Sequence, residues 1–193
     1  MTGRVEHQQI TLYRHGKAEF DYWQWSKASH LRKCVDRYDA TSICEWTPLG
    51  KEDVEIVVCS SLLRSKASAD VLFGGYDYSD PVFREAELPD LPALPAMLPI
   101  GIWFVLARLL WRCGVKTNCE TYVSFKSRVQ VAARDLVQLS EGHQKVAVVG
   151  HAIFNAYLAR ELITLGFSGP KRPNRKHWSR TRYVRDWGRG PKF

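Results

Sequence analysis

The sequence predicts an α/β fold, a three-layer αβα arrangement with a mostly parallel central sheet covered by helices on both faces. Three observations carry this reading. Three short, largely apolar runs, residues 10–13, 54–59 and 146–149, lack the alternation of a half-exposed strand and suit strands buried on both sides. Each is followed by a turn and a helix-like stretch, so strand and helix alternate along the chain. Phe125, Val129, Ala132, Leu136 and Leu139 recur with the period of one helix face over residues 121–139.

Taken in order, the first strand ends in Arg14-His15-Gly16. The stretch after it is expected to be helical, with one of Trp23 and Trp25 in the core and the other at a pocket mouth. The second strand ends in Ser60-Ser61, with Arg64 one turn later. Cys59 reads as a small apolar residue at that strand end. A proline-rich loop (Pro92, Pro95, Pro99) then leads into the apolar residues 100–111, which include Arg108. Twelve residues are too few to cross a bilayer as a helix. They read as a buried or lid helix. The alternative is an interfacial element that turns Trp103, Phe104 and Trp111 to lipid, with Arg108 and Arg112 at the headgroups. Thr117 and Glu120 have the spacing of a capping box for the helix over 121–139. The third strand ends in Gly150-His151, and a helix is expected over 153–165.

A chain of 193 residues fits one domain with an appendage: residues 1–169, carrying an insertion at about 89–115, and a tail at 170–193. The net charge of +8 comes from 28 Lys and Arg against 20 Asp and Glu. Nine of those basic residues and one acidic residue fall in the tail, so the first 169 residues hold 19 of each sign and are neutral. The tail has three readings: a solvated end, a flap over a phosphate site, or an arm docking through residues 171–192 on nucleic acid or an anionic membrane. His177, Trp178, Tyr183 and Trp187 are interleaved with its charges, so part of 176–187 is expected to be ordered against the domain. Five cysteines, an odd number without a CxxC pair, suggest neither a disulfide framework nor a zinc ribbon. The polar first residues lack a secretory h-region. A cytoplasmic location is expected, with peripheral membrane contact as the variant that the tail allows.

Ligands of open α/β sheets bind outside the carboxyl ends of the strands. If the three strands are parallel neighbours, His15, His151, Arg14 and Arg64 converge at one such edge. Planar guanidinium forks match the oxygens of phosphate, and histidine serves as nucleophile, base or charge stabiliser near neutral pH. No acidic metal cluster and no GxxxxGK[ST] loop accompanies them. The expectation is phosphoryl chemistry on a small phosphorylated substrate, with no cofactor, no metal and no obligate protein partner.

These residues also resemble a known family. LYRHGKAEFD is similar to the RHG signature of the histidine phosphatase superfamily, the phosphoglycerate-mutase-like clan. SSLLRSKASA, REAELP, CETYVSFKSRV and VAVVGHAIFN are similar to its later motifs and stand in the same order, over residues 10 to about 165. The resemblance implies a phosphoglycerate-mutase-like fold and a phosphohistidine intermediate on His15. It implies that Arg14, Arg64 and His151 hold the phosphoryl group. Glu85 would protonate the leaving oxygen and then activate water. Glu87, two residues on, competes for that role and would point to the opposite side of an extended segment. Gly16 would allow a tight turn, and Ser60 and Ser68 would be structural. Asp21 stands where the family often has Asn and is expected to point away from phosphate. Ala152 and Pro89 replace frequent glycines, and residues 91–115 have no counterpart. His7, His30, His143 and His177 read as surface or structural. The leading function is a metal-independent phosphomonoester hydrolase. The alternatives are a phosphoglycerate-mutase-like phosphoryl transferase and a non-catalytic protein that docks on membrane or nucleic acid through the tail.

Overall fold

The computed structural model describes residues 7–44, 52–115 and 118–186. In chain order, strands β1 (His7–Arg14) and β2 (Trp25–Lys27) precede helix α1 (Leu31–Asp39). Strand β3 (Ile56–Ser60), helix α2 (Leu63–Phe73), and strands β4 (Tyr78–Asp80) and β5 (Met97–Pro99) follow. Helices α3 (Ile100–Arg112) and α4 (Tyr122–Gly142), strand β6 (Lys145–Gly150), helix α5 (Ala152–Thr164) and strand β7 (Arg180–Asp186) complete the order.

The central sheet runs β4-β3-β6-β1-β7. β1, β3 and β4 are joined in parallel through β6 and β3, while β7 pairs antiparallel with β1. Because strand side chains alternate, the two faces feed two cores. Ile10, Leu12, Ile56, Val58, Val146 and Val148 pack with Phe125, Leu136, Phe154 and Leu158 of α4 and α5. Tyr13, Val57, Cys59, Ala147 and Val149 pack with Ala69 of α2 on the other face. These residues are apolar on both sides because both sides are covered. The three expected strands are therefore present and parallel, and Cys59 is core.

Several local expectations differ from the structure. Trp25 lies in a two-stranded ribbon with β5 rather than in a helix. Trp23 and Trp25 are both open to solvent, at 78% and 63% exposure. The core place expected for one of them is taken by Trp103, whose indole N–H donates to the Ser26 carbonyl at 2.8 Å. Trp103 joins Ala28, Leu31, Val35, Leu91 and Ala107 in a third core, which fastens α3 to α1 as a cap beside the sheet. Trp111 is also buried, and its indole donates to the Glu120 carbonyl at 2.7 Å. The tryptophans assigned to a lipid face thus point inward. Arg108 donates to the carbonyls of Ala86 and Glu87 at 2.8 and 2.9 Å, not outward to headgroups. Among the described residues no helix is long and apolar enough to cross a membrane. Thr117 of the expected capping box lies outside the described residues. Thr121 caps α4, accepting from the Ser124 N–H at 3.1 Å, while Glu120 pairs with Arg128 at 2.7 Å.

The described part of the basic segment joins the sheet. Tyr183 is buried and its hydroxyl donates to the Pro170 carbonyl at 2.8 Å. Arg180 and Arg182 reach Glu52 at 3.2 and 3.0 Å, and the Tyr13 hydroxyl donates to the same carboxylate. Arg185 donates to Gln8 at 2.7 Å and covers the Phe167 ring. An edge strand rich in arginine resists pairing with a further strand, so three of the tail cations have a structural use. Trp187, Arg189 and Lys192 lie outside the described residues. Tyr183→Ala is expected to cost about 3–5 kcal/mol of stability, read from the urea midpoint, because it empties a buried aromatic site.

Candidate active site

Parallel pairing of β1 with β6 continues past the strand end: the His15 N–H donates to the Gly150 carbonyl at 3.0 Å. Consecutive ends of β1, β6 and β3 therefore place His15, His151 and Arg64 together. The His15 and His151 rings lie 4.9 Å apart, centroid to centroid, and both are buried. Nδ1 of His15 sits 2.6 Å from the Gly16 carbonyl. A carbonyl only accepts, so Nδ1 carries the proton and Nε2 keeps its lone pair. His151 is the N-cap residue of α5, and neither of its ring nitrogens has a hydrogen-bond partner among the described residues.

Arg64 stands in the first turn of α2. One of its terminal nitrogens donates to Asp39 at 3.0 Å and to the Tyr38 carbonyl at 3.3 Å, and the guanidinium lies 4.2 Å from the Tyr38 ring centre. Ser68 locks this turn to β1: its hydroxyl accepts from the Gly16 N–H at 2.8 Å and donates to the Arg64 carbonyl at 2.6 Å. Ser60 accepts from the Leu62 N–H at 3.3 Å at the β3 end. The glycine requirement at position 16 differs from a tight turn. A Cβ there would stand 2.3 Å from the Trp178 indole, so the site needs a residue with no side chain under that ring.

Glu85 and Glu87 both line the same cavity, on diverging sides. The Glu85 carboxylate accepts from the Ile153 and Phe154 N–H groups at 3.1 and 2.8 Å, at the start of α5 and next to His151. Glu87 instead accepts from the Glu120 N–H at 2.8 Å, toward α4. Asp21 is exposed and accepts from the Trp23 N–H at 2.8 Å, within its own turn.

His177, read from sequence as surface or structural, stands in the site. Its ring is 5.3 Å from that of His15. Its Nδ1 lies 3.1 Å from the His15 carbonyl and its Nε2 lies 3.3 Å from Nη2 of Arg14. The carbonyl requires a proton on Nδ1, and Nε2 then accepts from Arg14. Nη1 of Arg14 donates to the Arg175 carbonyl, so residues of the tail hold both ends of this guanidinium. The sequence carries no signal for this placement; it follows from the antiparallel direction of β7. A strand that starts beside Tyr13 and runs back toward His7 brings the residues before it to the edge that holds His15.

Electrostatics follow from depth. Burial, reinforced by the Arg64 charge, pushes His15 and His151 well below the ordinary imidazole value of 6.5. Burial and then Arg14 lower His177 too. At neutral pH the His15 ring is a free base, the form with a nucleophilic Nε2.

The sequence profile of the histidine phosphatase superfamily (branch 1) matches residues 10–190. The chain belongs to that superfamily. As a histidine phosphatase it shares its fold with a mycobacterial glucosyl-3-phosphoglycerate phosphatase, at a TM-score of 0.57 and 19% identity, covering 92% of this chain and 90% of that one. It is also similar to an α-ribazole phosphatase from Shigella flexneri, at a TM-score of 0.53 and 16% identity, covering 81% and 80%. No curated protein matches it in sequence. The mostly parallel sheet is that of this phosphoglycerate-mutase-like group, and the match of the profile extends through β7.

Two buried neutral histidines couple this phosphatase's stability to pH. Their folded values lie below the unfolded value, so the unfolded chain binds more protons as pH falls below about 6.5. Their contribution is complete above that pH and is lost on acidification. The melting temperature is expected to fall from pH 7.5 to 5.5, and by less in a His15→Asn, His151→Asn double variant, as followed by circular dichroism.

Proposed function

We propose that this histidine phosphatase hydrolyses phosphomonoesters without a metal, through a phosphohistidine on His15. The observation that carries the reading is a neutral His15 whose Nδ1 is held at the Gly16 carbonyl, which leaves Nε2 as its basic nitrogen, set beside His151, Arg14 and Arg64. Phosphate oxygens would sit between the two guanidiniums and the His151 ring, which spread the charge of the transferring group. Nε2 attacks phosphorus, the P–N bond forms and the bond to the leaving oxygen breaks. A protonated Glu85 supplies the proton to that oxygen. The resulting carboxylate takes a proton from water, the water oxygen attacks phosphorus, and the P–N bond breaks to give inorganic phosphate. Glu85 supports this reading by its place on the cavity wall, at the start of α5 beside His151. Glu87 faces α4. His177 enters as a positioning group that accepts a hydrogen bond from Arg14.

Hydrolysis of an aryl phosphate in EDTA tests the mechanism. His15→Ala is expected to lower kcat by at least about 10³-fold, and Glu85→Gln by about 10²–10⁴-fold. Loss of turnover in EDTA, or a Glu87→Gln defect without a Glu85→Gln one, overturns it. Release of inorganic phosphate, rather than its return to an organic acceptor, separates hydrolysis from mutase chemistry.

His177→Ala is expected to raise KM about tenfold with a smaller change in kcat, the effect of losing one hydrogen bond to a charged group. His177→Gln, whose amide oxygen can still accept from Arg14, should recover most of that loss.

A further inference from the structure

The cavity above the phosphate-binding residues has a volume of about 1030 Å³, far more than a phosphate needs. Its walls differ in kind. Most charged side chains on it are engaged by the protein itself: Arg32 by Asp90, Arg128 by Glu120, Arg64 by Asp39, and Arg108 by two carbonyls. The flank built by α3 is different. Phe104, Val105 and Leu109 line the cavity there, with Tyr22 and Tyr38 deeper, toward Arg64. Phe104 stands 6.2 and 5.8 Å from the rings of Tyr22 and Tyr38.

This apolar flank continues out of the cavity. Val105 is 59% and Leu109 54% exposed, and Ile102, Leu106 and Leu110 on the same helix are exposed as well. The inward stripe of α3 is already satisfied by Ile100, Trp103, Ala107 and Trp111. A helix apolar over most of its circumference, interrupted by Arg108 and Arg112, with one face buried and the other open, exposes a surface that water disfavours. Here that surface begins inside the catalytic cavity, and the continuity names its occupant: the part of the substrate that follows the phosphate.

We propose that the substrate is a phosphomonoester whose alcohol carries a hydrocarbon body, laid along Phe104, Val105 and Leu109 and out over α3. The proposal rests on the phosphohydrolase reading above and deepens it by naming a substrate class. The phosphate binds at the floor between Arg14 and Arg64, and the hydrocarbon replaces water on α3.

The test is calorimetric binding of n-alkyl phosphonates, ethyl to octyl, at concentrations where they are monomeric. These compounds are not hydrolysed, so binding is read apart from turnover. Affinity is expected to rise about two- to fourfold per methylene, the worth of a partly to fully buried CH₂. A Val105→Ser, Leu109→Ser double variant should flatten that slope, and Val131→Ser, an exposed position of α4 outside the cavity, should keep it. Equal affinity for ethyl and octyl phosphonate overturns the proposal while leaving the hydrolase reading standing. Failure of every phosphonate and of inorganic phosphate to bind overturns both. A dimer in light scattering that dissociates in the double variant, with a flat slope in the parent, assigns the surface to a second copy. Binding to phosphatidylcholine vesicles with a flat slope assigns it to the membrane. Either result overturns the substrate proposal.

Discussion

The register of β1 against β6 is the constraint from which the rest follows. Six consecutive residue pairs, Gln9 with Lys145 through Arg14 with Gly150, bring both strands to their ends at the same level. One further backbone bond, from His15 to Gly150, carries that level into the turns. A one-residue slip would turn every side chain of β1 to the other face, send Ile10 and Leu12 away from α4 and α5, and separate His15 from His151. Packing of the two cores and placement of the two imidazoles are thus the same requirement. Ser68, Asn155 and Ser65 add to it from the helices, donating or accepting at Gly16, Tyr13 and Val149.

Once the imidazoles are set there, depth governs their chemistry. A buried ring with two guanidiniums nearby stays neutral, and a neutral ring whose Nδ1 is held by a carbonyl presents one basic nitrogen. The N-terminus of α5 begins one residue after His151 and is occupied by the Glu85 carboxylate. α3 holds the same segment through Arg108, which binds the carbonyls of Ala86 and Glu87. The cap therefore supports the segment that carries Glu85 as well as forming the apolar flank.

Three of the five strands of the sheet and the four groups at its edge were legible because each of those strands is short, apolar on both faces and followed at once by its polar residues. Ser68 was recognisable by position, although its bridge between Gly16 and Arg64 was not. The cap was harder to read. Its tryptophans have the same composition whether they face lipid or core, and only the fit of the Trp103 indole against Ser26 decides between them. Gly16 was expected to be needed for a turn, whereas the structure uses it to admit Trp178, a residue distant in sequence that itself adopts a left-handed φ of 62°. His177 could not be read as a site residue from its neighbours. Its charged surroundings resemble a solvated end, and only the direction of β7 takes it to Arg14.

That direction has a consequence in time. Residues 15 and 177 touch across 162 positions of sequence. On a ribosome His15 emerges, together with the turn that bears it, long before the carbonyl and imidazole that hold Arg14. Until β7 has emerged and closed the open edge of β1, the nascent chain carries an exposed strand and an unsettled guanidinium. The site is therefore assembled from segments far apart in the chain, and a partly synthesised chain contains His15 without the full setting that the finished fold gives it.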